Sequence, residues 1–255
     1  MDTEGNGMTW KLYEADCFDV FPSIEDKSVD MILTDPPYMI NYHTSRRCDK
    51  SHDFCSPIDN DNNPEIIKNV CYELNRILKE DSALYMFCSP NTVDLFKNEV
   101  KKYFKIKNII IWDKGNTTAG DLGAAYGKQY EMIIYANKGR RLINGKRYND
   151  IWYFPRVVGK DQCHQNQKPV PLVELMINKS SNEFDTILDP FAGSGTTGVA
   201  CQNLNRNCIL IEKEPEYCEI IRDRMASVEE LRLEARKQQT LQSFVGQQTL
   251  TQTSK

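Results

Sequence analysis

The sequence predicts an α/β protein with a Rossmann-like, mostly parallel sheet and helices on both faces. Three observations predict this fold. Short apolar strands alternate with helices of about 12 to 18 residues, which is the pattern of βαβ units. An acidic turn, TDPPY (34–38), directly follows the apolar run VDMIL, and a glycine-rich turn, DPFAGSGTTG (189–198), follows another. The chain has 255 residues, 40% of them hydrophobic, which suits one large domain.

The first elements are two strands and a helix. WKLYEADCF (10–18) and VDMILTD (29–35) predict strands. NPEIIKNVCYELNRILKE (63–80) predicts a helix, with Asn63 as N-cap and Pro64 at the first helical position. The apolar residues that follow the helical period are Ile66, Ile67, Val70, Leu74, Ile77 and Leu78.

The middle of the chain adds three strands and a second helix. SALYMF (82–87) is short and apolar, as in a buried parallel strand. NTVDLFKNEVKKYF (91–104) is an amphipathic helix, and IKNIIIWDK (106–114) and YEMIIYANK (130–138) are strands. The loops 39–62 and 114–129 are long, and we expect a functional role for them.

The last third repeats the alternation. Helices are expected at 169–181, 195–206 and 214–237, and strands at 186–191 and 208–212. The elements together predict one domain over 9–237, with disordered ends at 1–8 and 238–255, the latter rich in Gln and Thr.

Composition predicts the compartment and argues against several classes of protein. No run of 18 apolar residues exists, and the polar start MDTEGNGMTW lacks the apolar region of a secretory signal, so we expect a cytoplasmic protein with no membrane partner. Nine cysteines, an odd number, suit free thiols in a reducing compartment. Cys48, His52 and Cys55 are loosely spaced like zinc ligands, but no second CxxC pair accompanies them, so we expect a polar loop and no metal ion.

One segment is strongly basic although the net charge of the chain is −4. Residues 138–160 contain seven Lys or Arg and one acid, with four aromatic residues among them. Such a segment is either a solvated surface loop or a surface for phosphate contact and base stacking.

The turn TDPPY also allows two interpretations. It is either a simple end of a strand or a stiffened functional loop, because two prolines fix the backbone that holds Asp35 and Tyr38.

The glycine-rich turn resembles a nucleotide-binding fingerprint. Gly193, Gly195 and Gly198 fit G-x-G-x-x-G between a strand and a helix, and Glu212 ends the next strand. A dinucleotide-dependent oxidoreductase is therefore one alternative. However, the carboxylate of Asp189 just before the turn would repel a pyrophosphate and attract an amino group. The predicted ligand carries a ribose and an ammonium, which favours S-adenosylmethionine over NAD.

Four motifs in order resemble the amino-group DNA methyltransferases, which methylate N6 of adenine or N4 of cytosine. The motifs are DPPY (35–38), YEMIIYANKG (130–139), NQKPVPLVELMI (166–177) and DPFAGSGTT (189–197). Their order resembles the permuted subgroup called beta, and the resemblance covers about residues 10–225. It implies a circularly permuted class I S-adenosylmethionine-dependent methyltransferase fold, with duplex DNA as partner and a small target-recognition insertion at about 138–163.

The resemblance assigns the catalytic turn. Asp35 and the Pro36 carbonyl would accept hydrogen bonds from the target amine, Pro37 would stiffen the turn, and Tyr38 would stack on a base flipped out of the duplex. An Asp-first tetrapeptide favours adenine and leaves cytosine-N4 as the alternative.

The resemblance also assigns cofactor and DNA contacts. Asp189 would bind the methionine amino group, Glu212 the ribose, and Asp16 with Cys17 the adenine of the cofactor, while Lys168 would either meet the methionine carboxylate or cap the following region. The further cofactor-binding residues are Asp35, Phe191, Ala192, Gly193, Ser194, Gly195 and Thr196. The expected DNA-binding residues are Arg140, Arg141, Lys146, Arg147 and Arg156. Members of the subgroup often dimerise, so a homodimer is possible.

Overall fold

A computed structural model describes residues 3–5, 8–38, 65–118, 123–159 and 167–252. The strands are β1 (Thr3–Gly5), β2 (Met8–Glu14), β3 (Val29–Thr34), β4 (Leu78–Cys88), β5 (Lys105–Thr118), β6 (Lys128–Lys138), β7 (Ile151–Tyr153), β8 (Thr186–Asp189) and β9 (Asn207–Glu212). The helices are α1 (Cys17–Val20), α2 (Glu65–Ile77), α3 (Val93–Tyr103), α4 (Val170–Ser180), α5 (Thr196–Asn203) and α6 (Pro215–Gln252), and a short 3₁₀ turn, Phe21–Ser23, follows α1.

The nine strands of the described residues form one sheet in the order β1-β2-β9-β8-β3-β4-β6-β5-β7. Five central strands are parallel to one another, namely β2, β9, β8, β3 and β4. The sheet is therefore mostly parallel, as predicted. Antiparallel pairs occur between β1 and β2 and at the other side, where β6 pairs with both β4 and β5.

Helices cover both faces of the sheet. Side chains of successive strand residues point to opposite faces, and both sets are apolar here, so each face needs its own helices to bury it. In β3, Met31 and Leu33 belong to one buried apolar cluster with residues of α4, α5 and α6. Ile32 of the same strand belongs to a second cluster, which contains residues of α1, α2 and α3. The apolar face predicted for the helix at 63–80 packs into that second cluster. The predicted Rossmann-like α/β fold is confirmed.

Several element bounds differ from the sequence-based expectation. The first predicted strand, 10–18, ends at Glu14, because Asp16 accepts a hydrogen bond from the Phe18 backbone N–H and starts α1. The Gln- and Thr-rich tail, expected to be disordered, continues helix α6 to Gln252. Residues 3–5, also expected to be disordered, form strand β1 against β2. Within the described residues, no helix combines the length and the hydropathy that crossing a bilayer requires.

The sheet has a topological switch point between β8 and β3. From β8 the chain continues to β9 on one side, whereas β3 is followed by β4 on the other side. Open α/β sheets bind ligands in the crevice at the carboxyl ends of the strands at such a point. The carboxyl ends of β3 and β8 carry the two turns that the sequence analysis singled out.

Candidate active site

The acidic turn leaves the buried end of β3 and folds back on itself. The Tyr38 hydroxyl lies 2.7 Å from Asp35 Oδ1 and donates to it. The Tyr38 carbonyl accepts a hydrogen bond of 2.9 Å from the hydroxyl of Thr92, just before α3. Two prolines and these two hydrogen bonds fix the positions of the Asp35 carboxylate and the Pro36 carbonyl.

The glycine turn connects β8 to α5 and is tied to β9. Gly193 and Gly195 adopt positive φ angles of 53° and 76°. The Gly193 N–H donates to Glu212 Oε2 at 2.8 Å, and the Ala192 N–H donates to the Ile211 carbonyl at 3.0 Å. The loop therefore has a defined shape before any ligand arrives.

The two turns meet in one pocket at the carboxyl ends of the neighbouring strands β3 and β8. Its lining includes Asp35 from the acidic turn and Asp189, Gly193 and Ser194 from the glycine turn. The remaining lining residues are Leu33, Phe87, Gln167, Lys168, Val173, Phe191, Ala192, Thr196 and Thr197. The expected convergence of the two turns is thus observed.

Asp189 presents a carboxylate that is almost fully buried at the floor of this pocket. Its Oδ2 accepts a hydrogen bond of 2.5 Å from the Thr197 hydroxyl, and its Oδ1 accepts one of 3.2 Å from the Phe191 N–H. Burial outweighs these hydrogen bonds and raises the pKa of Asp189 to about 7. The carboxyl group is therefore only partly ionised at neutral pH, and a cationic ligand bound beside it would favour the charged form.

Three further predicted cofactor residues lie at the carboxyl ends of β2 and β9. Both carboxylate oxygens of Glu212 accept backbone hydrogen bonds, from the N–H groups of Gly193 and Glu214. Asp16 caps α1, and burial raises the pKa of the Cys17 thiol to about 12, so the thiol is protonated at neutral pH. Ala15 and Glu212 are joined by a backbone hydrogen bond, so these residues share one edge with the glycine turn.

Lys168, predicted as a cofactor residue, lines the pocket, but it also contacts the acidic turn, which the sequence did not indicate. Its ammonium lies 2.5 Å from Asp35 Oδ2, 3.2 Å from the Tyr38 hydroxyl and 3.4 Å from Glu131 Oε2. The side chain is 9% exposed and lies over the rings of Phe87 and Tyr38. In this structure Lys168 pairs with the predicted catalytic acid.

Glu131, in β6, is a site residue that sequence reasoning missed. Its Oε2 lies 3.0 Å from the Tyr38 hydroxyl oxygen, whose one proton it shares with Asp35, and its Oε1 accepts from Lys114 at 3.1 Å. The one available signal was an acid in the otherwise apolar strand YEMIIYANK, at a position between a tyrosine and a run of buried residues. Its partners Lys114 and Lys168 are too distant in sequence to be inferred from a pattern.

The charges in this cluster adjust one another's pKa values. Burial raises the pKa of Asp35, and the neighbouring Lys168 only partly offsets this. Burial also acts on Glu131, but the charges of Lys168 and Lys114 outweigh it, so the pKa of Glu131 is lowered. Burial disfavours the charged form of Lys168, yet Asp35 and Glu131 outweigh it and raise the pKa of Lys168. The ammonium of Lys168 is therefore retained at neutral pH.

The basic segment begins at the end of the sheet opposite the pocket, and its predicted DNA contact stays a prediction. Strands β6 and β4 are antiparallel, so Met132 of β6 pairs with Cys88 at the pocket end of β4. Lys138 pairs with Ser82, which precedes Cys88 by six residues in β4 and therefore lies about 20 Å from the pocket end. The residues after Lys138 therefore start at the far end of the sheet.

Three of the residues predicted to bind DNA lie at that far end. The Arg140 N–H donates to Asp81, the Arg141 guanidinium donates to the carbonyl of Ser180 at the end of α4, and the Lys146 carbonyl accepts from Lys179. Arg147 follows in the loop before β7. Arg156 differs, because β7 runs parallel to β5 and returns the chain to the pocket end of the sheet. The segment Cys48–Cys55, considered for zinc, lies outside the described residues.

Comparison with known proteins identifies the family. The profile of the N6/N4 DNA methylases matches residues 29–223. The chain belongs to this family. A curated relative, the type II methyltransferase M2.MboI of Moraxella bovis, is 30% identical over 243 residues, covering 87% of this chain and 89% of that relative.

Solved structures of this DNA methylase family have the same fold. The complex of M1.HpyAVI with SAM is 25% identical, covers 85% of this chain and 99% of its own, and has a TM-score of 0.63. The cytosine-N4-specific PvuII DNA methyltransferase has a TM-score of 0.69 at 15% identity, covering 84% and 86% of the two chains. This second similarity concerns the fold alone.

Family membership confirms the expected DNA amino-methyltransferase and its cofactor, S-adenosylmethionine. The alternative from the sequence, a dinucleotide-dependent oxidoreductase, is therefore wrong, because the chain belongs to the DNA methylases. The family contains both adenine and cytosine enzymes, so it does not decide the target base. A cytoplasmic location and a homodimer stay predictions.

Proposed function

We propose that this DNA methyltransferase transfers a methyl group from S-adenosylmethionine to N6 of an adenine flipped out of duplex DNA. The observation that carries the proposal is the meeting of Asp35 and the glycine turn in one pocket. The preference for adenine rests on Asp as the first residue of DPPY. Cytosine-N4 is the alternative.

The acidic turn is suited to activate an amine. The lone pair of an exocyclic amine is delocalised into the ring, and two acceptors that bind both N–H groups draw the nitrogen toward tetrahedral geometry. Asp35 and the Pro36 carbonyl are two such acceptors, held by the hydrogen bonds of Tyr38 and Thr92. Each carboxylate oxygen has about two lone pairs, so Asp35 can accept from the amine as well as from Tyr38 and Lys168. A fixed acceptor needs no reorganisation during the reaction.

The glycine turn is suited to hold the cofactor, which supplies the methyl group as a sulfonium. A Cβ added to Gly193 would meet no atom within 4 Å, so the loop leaves space beside the pocket for a ligand. Asp189 is the buried carboxylate that would pair with the methionine ammonium, with the backbone of 191–196 beside it. Glu212 would accept hydrogen bonds from the ribose hydroxyls and would give up one of its two hydrogen bonds to backbone N–H groups. Asp16 and Cys17 would lie near the adenine of the cofactor.

Cofactor affinity is expected to fall with decreasing pH. Because the pKa of Asp189 is about 7, the carboxylate becomes protonated below neutrality and loses its attraction for the ammonium. The dissociation constant of S-adenosylmethionine should rise by up to about tenfold per pH unit between pH 7 and pH 5.5. Calorimetric titration at several pH values checks this. Asp189→Asn should bind weakly at every pH, and an equal pH dependence in that variant would contradict the assignment.

The two glycines of the turn should respond differently to substitution. Both have positive φ, so alanine is strained at each by about 1 kcal/mol. At Gly195 the new Cβ would also lie 2.9 Å from buried Ile221, so Gly195→Ala should destabilise by about 2–4 kcal/mol in denaturant unfolding. Gly193→Ala should lose only about 1 kcal/mol but bind the cofactor more weakly. Equal stability of the two variants would contradict this packing.

Tyr38 is proposed to contact the flipped base. An aromatic face offsets part of the stacking that the base loses on leaving the duplex. In the structure its hydroxyl is held by Asp35 and Glu131, so the ring is fixed at the mouth of the catalytic turn.

DNA contact is proposed for Arg156 at the pocket end of the sheet. Arg156→Ala should weaken duplex binding and reduce the slope of log affinity against log salt by about one unit. The exposed pair Arg140 and Lys146, at the far end, provides the matched control: replacing both by alanine should change affinity little. Titrations at several salt concentrations measure both. A larger loss in the control would show that DNA lies along the far end.

The reaction is tested with labelled S-adenosylmethionine and mixed-sequence duplex DNA, followed by digestion to nucleosides. Labelled N6-methyladenine supports the proposal. Labelled N4-methylcytosine would establish the alternative, and no labelled nucleoside would overturn both.

A further inference from the structure

We propose that Lys168 selects the base: its ammonium donates a hydrogen bond to the ring nitrogen beside the target amine, N1 of adenine or N3 of cytosine, while Glu131 holds it in place. This inference rests on the proposed function and extends it from methyl transfer to recognition of the base edge.

The first step is the position of Lys168. Its ammonium lies 2.5 Å from the carboxylate oxygen Asp35 Oδ2, and both residues line the pocket. A hydrogen-bond acceptor and a hydrogen-bond donor are therefore adjacent, at about the spacing that separates the amine and the neighbouring ring nitrogen on a base edge. An amine that donates to Asp35 brings its ring nitrogen next to Lys168.

The second step is the number of hydrogen bonds. The ammonium of Lys168 has three N–H groups and no acceptor. Two of them point toward close partners, Asp35 and the Tyr38 hydroxyl. The third partner, Glu131 Oε2, is 3.4 Å away, which is longer than an ordinary hydrogen bond. One N–H can therefore turn to a base without breaking a short contact.

The third step is retention of the charge. Glu131 also binds Lys114, and the Phe87 ring lies 4.9 Å below the Lys168 ammonium. When an amine competes for Asp35, the carboxylate of Glu131 and this aromatic ring still stabilise the cation. Glu131 is therefore a positioning residue that acts through Lys168.

The consequence is discrimination among the four bases. Adenine and cytosine present an amine beside a bare ring nitrogen, which matches the Asp35 acceptor and the Lys168 donor. Guanine and thymine carry an N–H at the corresponding ring position, which would face a donor that cannot accept, and a carbonyl where the amine should be. Leaving such buried groups unpaired is costly.

The test replaces one atom of the base. The target position is first located by comparing methylation of short duplexes of defined sequence. Single-turnover methylation is then measured on duplexes that carry adenine, 1-deazaadenine or 7-deazaadenine at that position. The wild-type protein should methylate the 1-deaza duplex about 10- to 100-fold more slowly than adenine, since the analogue lacks the acceptor for a charged donor. The 7-deaza duplex, which keeps N1, should react like adenine.

A variant ties this effect to the lysine. In Lys168→Met the rate on adenine should fall, and the ratio between adenine and 1-deazaadenine should approach one, whereas a merely structural role would leave the ratio unchanged. The wild-type series stands alone if Lys168→Met does not fold. Wild-type insensitivity to 1-deazaadenine, or sensitivity to 7-deazaadenine instead, overturns this inference while methyl transfer to adenine remains. Absence of transfer to every duplex would instead overturn the proposed function.

Discussion

Asp35→Ala is expected to abolish methyl transfer while leaving S-adenosylmethionine binding largely intact. Asp35 is the proposed acceptor for the target amine, whereas Asp189 and the glycine turn, at the end of the adjacent strand, are proposed to hold the cofactor. Loss of a pre-positioned electrostatic group of this kind reduces the rate by on the order of 10²–10³-fold.

Two measurements separate the roles of these residues. Single-turnover transfer to duplex DNA reports the amine contact, and calorimetric titration reports the cofactor. Asp26→Ala is the matched control, because Asp26 is an exposed acid that pairs with Arg76 before β3, at the other end of the sheet, and it should not change either quantity. If Asp35→Ala lost cofactor affinity in proportion to activity, the amine contact would be misassigned.

Activity should also fall on the acidic side through Asp35. Burial raises the pKa of this carboxyl group, so the acceptor becomes protonated at a higher pH than an ordinary aspartate would.

Glu131→Gln is expected to destabilise the protein by about 3 kcal/mol, because it leaves two mostly buried ammonium groups without their shared carboxylate. Lys114 and Lys168 are only 12% and 9% exposed, and both pair with Glu131. A change of this size lowers the melting temperature of a domain of this length by roughly 6–12 °C.

The control and the pH dependence make this prediction specific. Glu80→Gln removes an exposed carboxylate 3.7 Å from Lys138 and should cost less than about 0.5 kcal/mol. The lowered pKa of Glu131 means that its stabilisation is present above the unfolded value near 4.3 and is lost as the pH falls through the folded value. Denaturant unfolding at pH 7 and pH 3.5 measures both effects. Similar losses for the two variants at pH 7 would contradict the buried network.

Sequence reasoning predicted the parts of the site that lie close together along the chain. Strand ends carry their turn residues with them, so Asp35 and the glycine turn could be placed at the same edge once the strands were taken as parallel. The Lys168–Glu131 contact could not be predicted, because it joins a loop residue before α4 to a residue of β6, and tertiary packing alone brings these two parts of the chain together.

The position of the basic segment relative to the pocket could not be predicted for a related physical reason. Alternating strands and helices predict parallel strands, but β5 and β6 are consecutive among the described strands and pair antiparallel. The direction of β6 alone moves Arg140 and Arg141 to the far end of the sheet. The helical continuation of the tail to Gln252 was missed because its polar composition was interpreted as disorder.

The pairing of β3 with β8 also has a consequence for biosynthesis. Asp30, in the early strand, accepts a hydrogen bond from the Thr186 backbone across 156 positions of the chain. Contacts of such long range form late and slow folding. A nascent polypeptide leaving the ribosome thus acquires its catalytic turn early but gains a competent methylation centre only after nearly all of the protein has been translated.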